Sequence, residues 1–482
     1  YASVWEFSWG THYGTHITGV ATNAFPRGRL TLFADSPPAQ VAVAEASTGP
    51  GKDDAWRQRT LVLVDLPGEN CYAVTLERVR GGQEHLHSFH GPDGEATLFG
   101  LSPKPQGGGT VLGTDIAYGD VSKAGHDREL AILAYLPNPS RDRPAAPWGM
   151  DVALRNQKDV RVRMTMMHPL DAEVALAEGR PPGGGSNAYR MPFAISKRMG
   201  DAPLRSQFLM VIEPYEGARV VERVEPMAVT PLGGAPAGEF APLGVRITTP
   251  EFVDTLILQP DASGACRTAD GLVCRGEVGF WRERRNGAGQ TPAAAVLAGG
   301  SQLAKGAARL EVAHPVYTGR ITRCDWAKRT VVVSPAPPAG MRLVGQHLQI
   351  RNDAGSHVSY VVEAARPVEG GCALTLELDP RVGEGVVKSY AAGTLESQLG
   401  LRLAPWGYYA GKTLANEDGS TFYRLRDVER GNRLVLEAQV PAEGLKRDFS
   451  DRDGDGLTRY VIYDYGPGDE VILRSFATLA SQ

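Results

Sequence analysis

Cys71-Tyr-Ala-Val-Thr-Leu-Glu-Arg-Val-Arg-Gly-Gly-Gln-Glu-His-Leu-His-Ser-Phe-His-Gly91 reads as a strand, a break and a polar stretch beyond it. Apolar and polar residues alternate from Cys71 to Val79, the period of a half-buried strand. Gly81-Gly82 can then break or bulge the strand, because glycine tolerates backbone angles closed to other residues. Three of the ten histidines, His85, His87 and His90, follow within six residues. If the strand resumes, His85 and His87 point to the same side of a sheet. Two readings stand for them: a surface that binds sugar or metal, or imidazoles satisfied by hydrogen bonds inside a crowded sandwich.

The same texture runs through the whole chain. Short runs rich in Val, Leu, Ile, Thr and Tyr recur, as in 59–65, 130–136, 160–166, 208–212, 330–333, 357–362 and 470–474, with Gly, Pro, Asp and Asn between them. No stretch keeps a helical period beyond two turns, whereas an average domain is about one-third helix. The expected fold is all-β, built of antiparallel β-sandwich domains with very little helix. A large sandwich is expected over 1–240, connecting strands over 241–300 and an all-β C-terminal domain over 301–482. Pro231 to Gly238 serves as hinge, and the Gly-rich stretch 180–187 is a loop within the first domain.

With 482 residues and a net charge of −4, the chain can bury a large core and has no basic field to draw nucleic acid. No apolar run approaches the roughly 18 residues of a membrane span. An acidic ligand would therefore need a local patch of Arg and Lys. The first residues, Tyr-Ala-Ser-Val-Trp, carry neither an initiator Met nor a signal pattern, so the chain is read as the remainder of something longer. The five cysteines cannot all pair, and none of their spacings matches a zinc knuckle. Cys266 and Cys274 flank a hairpin-like segment and are candidates for a disulfide in an oxidising compartment, with two unrelated thiols as the alternative.

The His-rich turn, together with Arg27-Gly-Arg-Leu-Thr-Leu-Phe-Ala-Asp-Ser36, Arg59-Thr-Leu-Val-Leu-Val-Asp65 and Arg205-Ser-Gln-Phe-Leu-Met-Val-Ile-Glu-Pro-Tyr-Glu-Gly217, resembles the β-sandwich half of the heparinase II/III-like polysaccharide lyases, in the same order and spacing. The resemblance covers roughly the first half of the chain. It implies a lyase that cleaves a uronic-acid-containing polysaccharide, such as a glycosaminoglycan or alginate, by β-elimination. It also implies a helical toroid upstream that carries the main Tyr and His acid-base pair, and a periplasmic or extracellular location. The chain itself contains no toroid and no His-x-His-x-Asp stretch. On this reading no catalytic residue is assigned within the chain, and His85, His87, His90, Arg78 and Arg80 are expected to meet acidic substrate. The competing expectation is a non-catalytic carbohydrate-binding β-sandwich protein.

Two metal sites are conceivable. Thr11-His-Tyr-Gly-Thr-His-Ile-Thr-Gly-Val20 resembles the family strand with an Ala-His-Asn-Thr pattern, so that His16 matches a His able to hold a structural metal such as zinc, although Ile17 stands where the family has Asn. A simple strand pair of His12 and His16 is the alternative. Asp451-Arg-Asp-Gly-Asp-Gly456 begins like a calcium loop, with Asp451, Asp453 and Asp455 as hard oxygen donors and Gly456 at the sharp turn. Ile462 replaces the bidentate Glu of a full EF-hand, and a solvated Asp-Gly turn is the alternative. No phosphate loop, nucleophile elbow or His-Glu-x-x-His motif is present. Trp5, Trp9, Trp148, Trp406, Tyr408 and Tyr409 are read as mostly core, with sugar stacking as their other use.

Overall fold

The computed structural model describes residues 5, 8–20, 28–48, 54–125, 127–180, 189–233, 239–286, 292–404, 407–451 and 454–480. Asp453, Trp406 and most of the two Gly-rich segments at 180–187 and 231–238 lie outside them. Of the described residues 54% are strand and 5% helix, and the strands pair antiparallel throughout the described sheets. Two compact units result, one of residues 1–312 with 476–482 and one of residues 313–475.

The first unit is a three-layer stack. Its middle layer is an eight-stranded sheet in which Cys71–Arg80 lies between Trp56–Asp65 and Arg205–Glu216. The alternation legible in the sequence has a direct counterpart: Tyr72, Val74 and Leu76 are buried while Cys71, Ala73 and Thr75 are half-buried. From Glu77 onward both faces are covered, because a second layer lies over that end. The chain reaches this layer through Gly81 and Gly82, which have φ of 131° and 52°. A Cβ on Gly81 would lie 3.0 Å from that of Ala55, and one on Gly82 would lie 2.8 Å from Ile17. Both the conformation and the close approach therefore exclude other residues.

Beyond the turn, Glu84–His90 enters a six-stranded sheet between Thr15–Ile17 and Met191–Met199. Phe89, Met150, Met164, Val174, Ala194 and Met210 form the core between these two layers. The opposite face of the middle layer packs on a nine-stranded sheet through Val41, Val62, Val74, Val245, Leu256 and Phe280, among others. This third layer contains the segment expected as connecting strands over 241–300. Its residues Val245, Ile247, Leu256, Leu258, Val278 and Phe280 present an apolar face that must be covered, and the middle sheet covers it.

The second unit consists of two closed six-stranded barrels. One is formed by Val316–Asp325, Thr330–Ser334, Gly371–Leu376, His357–Val368, His347–Arg351 and Glu470–Arg474. The other is formed by Arg381–Ala391, Thr394–Ser397, Arg433–Leu436, Phe422–Glu429, Thr413–Asn416 and Arg459–Tyr463. Closure leaves no exposed sheet edge. The unit is an insertion: Phe476–Ala480 returns to the first unit and pairs with Ala294–Lys305. The compact unit thus ends at residue 475 rather than at the C-terminus.

Cys266 and Cys274 stand opposite each other in register, yet both thiols are free. Burial pushes the Cys266 thiol up to about 12 and raises that of Cys274 further. No helix among the described residues is long and apolar enough to cross a membrane.

Candidate functional site

The structure moves most of the histidine cluster into the interior. Glu84–His90 is an inner strand of its sheet, so alternate side chains point into the gap between layers. His85 is 0% exposed. Its Nε2–H donates to the Gly81 carbonyl at 2.8 Å, and its Nδ1 accepts from the Ser206 hydroxyl at 2.7 Å. Burial, against the pull of the Gly81 carbonyl, lowers its pKa to about 4. His87 is buried and stacks on Phe208 at 4.7 Å. Neither side chain lines a sugar-facing surface, because the layer beyond them closes it off.

Arg78 is likewise internal, at 0% exposure. It points to the other side of the middle sheet, where it donates to Gln207, Gln58 and the Leu258 carbonyl. Burial lowers its pKa to about 10. Arg80 is engaged by Asp54 at 2.9 Å and Glu239 at 3.1 Å. Both arginines fasten sheet to neighbour instead of waiting for an anion. The sequence cannot show this, since a buried Arg with satisfied donors has the same spelling as an exposed one.

Beneath Thr15–Ile17 lies a polar network. Thr15 Oγ1 donates to Glu77 Oε2 at 2.6 Å, and His87 Nδ1 lies 2.9 Å from Thr15 Oγ1 and 3.2 Å from Glu77 Oε2. With the hydroxyl donating to the carboxylate, His87 carries its proton on Nδ1. Arg59 lies 3.3 Å from Glu77 Oε1. Burial would raise the Glu77 carboxyl, but Arg59, His87 and Thr15 together hold it at about 2.

This network supports a surface group. Arg59, with about 40% of its side chain exposed, donates onward to the Tyr13 carbonyl at 2.5 Å. Tyr13 is 38% exposed; its ring stacks on Phe89 at 5.3 Å and leans on His90 at 4.8 Å. Exposed His12 stands near enough to act on the charge of His90. His90 faces the Thr11 and Gly91 carbonyls through its two nitrogens, and burial lowers its pKa. Of the five residues expected to meet substrate, His90 alone reaches this face.

Tyr13 has φ of 51°. It sits just past the short 3-10 turn Trp9–Thr11, where the Gly14 amide returns to the Trp9 carbonyl. Such a position normally takes glycine, and a bulky side chain there costs on the order of 1 kcal/mol or more. The sequence places its glycine one residue later, at Gly14. A phenol ordinarily keeps its proton at neutral pH, and the partial burial of Tyr13 raises its pKa further. It is therefore a hydrogen-bond donor or acid and not a base. Spacing rules single out histidines and pass over Tyr13; the only local signal is an aromatic between His12 and Gly14.

His16 faces away from this network. Its Nε2 meets Asp127 at 2.8 Å, and its ring stacks on Trp9 at 5.6 Å. Asp127 also accepts from the Gly19 amide and caps the turn Arg128–Tyr135. At the other end of the chain, Asp451 accepts from the Gly454 and Gly456 amides, and Asp455 pairs with Arg459. These carboxylates are turned to their own loop. Among the described residues no three His, Cys, Asp or Glu side chains gather as a metal site.

No protein-family model matches the chain, and no curated protein matches it in sequence. Among solved structures, the heparan sulfate lyase HepC from Pedobacter heparinus is 10% identical with a TM-score of 0.29, over 50% of this chain and 29% of that one. Heparinase III is 14% identical with a TM-score of 0.29, over 52% of this chain and 30% of the other. The chain thus spans less than a third of the length of these structures.

Proposed function

We propose that the first unit presents a binding face for an acidic, uronate-containing polysaccharide, as the β-sandwich part of a polysaccharide lyase of the periplasm or cell exterior. The observation that carries this reading is Tyr13: a partly exposed tyrosine held at φ of 51°, beside His12, His90 and Arg59. Strain of this kind at an exposed polar side chain points to use of that side chain. Arg59, held by Glu77 and the Tyr13 carbonyl but with about 40% of its side chain exposed, adds positive charge to the rim of this face, and the phenol supplies a proton or hydrogen bond to a sugar oxygen. β-Elimination also needs a base to remove the proton alpha to the carboxylate. Tyr13 carries its proton at neutral pH, so that base belongs to a helical domain opposite this face. A structural metal at His16 or the Asp451 loop is not needed for any of these steps.

Tyr13→Phe and Tyr13→Gly test the reading. Both should weaken binding of an oligouronate by roughly tenfold, the loss of one hydrogen bond to a charged or desolvated partner. Tyr13→Gly should melt within a few degrees of the parent, since relief of the backbone offsets the lost ring contact. Unchanged affinity in both variants, measured by calorimetric titration, would refute the assignment. Ultraviolet absorbance of unsaturated uronate ends separates lyase from the alternative, a carbohydrate-binding protein without turnover. This chain alone is expected to bind but to release few such ends.

A further inference from the structure

The second unit holds a cleft of about 690 Å³ lined by residues of both barrels. On the wall made by the first barrel, Arg323 is in register with Val332, Val332 with Ala373, and Ala373 with Arg366. Residues in register share a sheet face, and all four line the cleft. The row curves around the barrel wall, with Arg323 and Arg366 at its two ends and the low apolar floor of Val332 and Ala373 between them.

The state of the cations decides what this floor suits. Of the five that line the cleft, three have carboxylate partners: Lys328 with Asp325 at 3.1 Å, Arg329 with Glu363 at 3.1 Å and Arg381 with Glu384 at 3.1 Å. Arg323 and Arg366 are exposed, and among the described residues their guanidinium groups have no partner. Four carboxylates line the cleft as well: Asp325 is paired with Lys328, Glu417 faces Arg459 at 3.9 Å, and Asp379 and Asp418 accept from the Arg381 and Ser420 amides and keep their charge, so the unpaired cations Arg323 and Arg366 set where an acidic group can sit.

We propose that this cleft is a second binding site, for an anionic oligosaccharide. The apolar face of a sugar ring lies on Val332 and Ala373, while Arg323 and Arg366 grip acidic groups of successive residues by charge-assisted hydrogen bonds. The cleft is of the size that takes an extended small ligand and far exceeds a single oxyanion. Carboxylate and sulfate ester groups share the required chemistry. The site belongs to the second unit alone and stands or falls independently of the face around Tyr13.

The test is calorimetric titration of the full chain carrying Tyr13→Phe, which weakens the first face roughly tenfold and so separates its contribution from that of the cleft. The probes are an alginate tetrasaccharide, bearing carboxylates only, and a heparin-derived tetrasaccharide, bearing sulfates as well. Arg323→Gln with Arg366→Gln should weaken the tighter of the two probes at least about tenfold, with the melting temperature unchanged because both side chains are exposed. Lys328→Gln, which removes a paired cation, should change affinity less than about twofold. The probe that binds more tightly identifies carboxylate or sulfate as the preferred group. Failure of both probes to bind overturns the proposal, as does affinity unaffected by the double substitution. Inorganic sulfate or an acidic peptide competing as well as the tetrasaccharide would overturn it too.

Discussion

Acidification from pH 7 to about 2 should cost the first unit on the order of 6 kcal/mol through two buried groups, in two separable steps. The upper step belongs to His85. Burial, helped by Arg198 and opposed by the Gly81 carbonyl, lowers its pKa from 6.5 to about 4. The fold therefore holds the neutral ring while the unfolded chain takes up a proton below pH 6.5. The associated stability, about 3 kcal/mol, is present above pH 6.5 and is lost as the pH falls to about 4. The lower step belongs to Glu77. Burial alone would raise this carboxyl, but Arg59, His87 and Thr15 bring it from 4.5 down to about 2. Its contribution, also about 3 kcal/mol, is present above pH 4.5 and is lost as the pH falls through about 2. Urea midpoints measured against pH should show both slopes, beside the smaller contributions of surface carboxylates. His85→Gln should flatten the curve between pH 6.5 and 4, and Glu77→Gln should flatten it below pH 4.5. Each variant is judged by its slope, which an overall loss of stability does not imitate. Slopes equal to the parent's in both windows would show that these groups are not held in the stated protonation states.

The two steps also explain why the fold class was more legible than the site. The alternation in Cys71–Arg80 and the pair Gly81-Gly82 specify a strand and a break, and the structure uses the break to carry the chain between layers. Period two tells which side chains share a face, and His85 and His87 do share one. It does not tell whether another layer covers that face, and here one does. A buried polar residue is tolerated when its partners are present; Gly81 and Glu77 are close in sequence, but Ser206 and Thr15 come from distant segments. Tyr13 was hidden for a different reason: a left-handed position is signalled by Gly or Asn, and the sequence has neither there. The Asp451 loop was ambiguous because a carboxylate that accepts backbone amides and one that holds calcium need the same residues.

Removal of Arg282 should be among the most damaging single substitutions in the first unit. Arg282 and Asp254 are cross-strand partners in the nine-stranded sheet and meet through two hydrogen bonds of 2.7 Å. Asp254 is 0% exposed, and Tyr72 of the middle layer donates to it at 2.7 Å. Arg282 further donates to the Asp65 carbonyl at 3.0 Å, so the group ties two layers together. Burial, then the charge of Asp254, raises the Tyr72 phenol well above its ordinary value, so it remains a donor at every working pH. Arg282→Met leaves the carboxylate buried with a single hydroxyl partner, and the expected loss is about 3–5 kcal/mol. That is a large share of the roughly 5–15 kcal/mol that hold a typical domain together. The triple variant Tyr72→Phe, Asp254→Leu and Arg282→Met removes every charge at once. It should recover most of the loss, because the desolvation cost disappears with the charges and the surrounding Val, Leu and Phe side chains accept apolar neighbours. Denaturant midpoints of the parent, the single variant and the triple variant decide the matter. A single variant that loses less than about 1 kcal/mol would mean that water reaches Asp254. A triple variant as unstable as the single would mean instead that the hydrogen bonds across the layers, and not the relief of an unpaired charge, hold this interface in register.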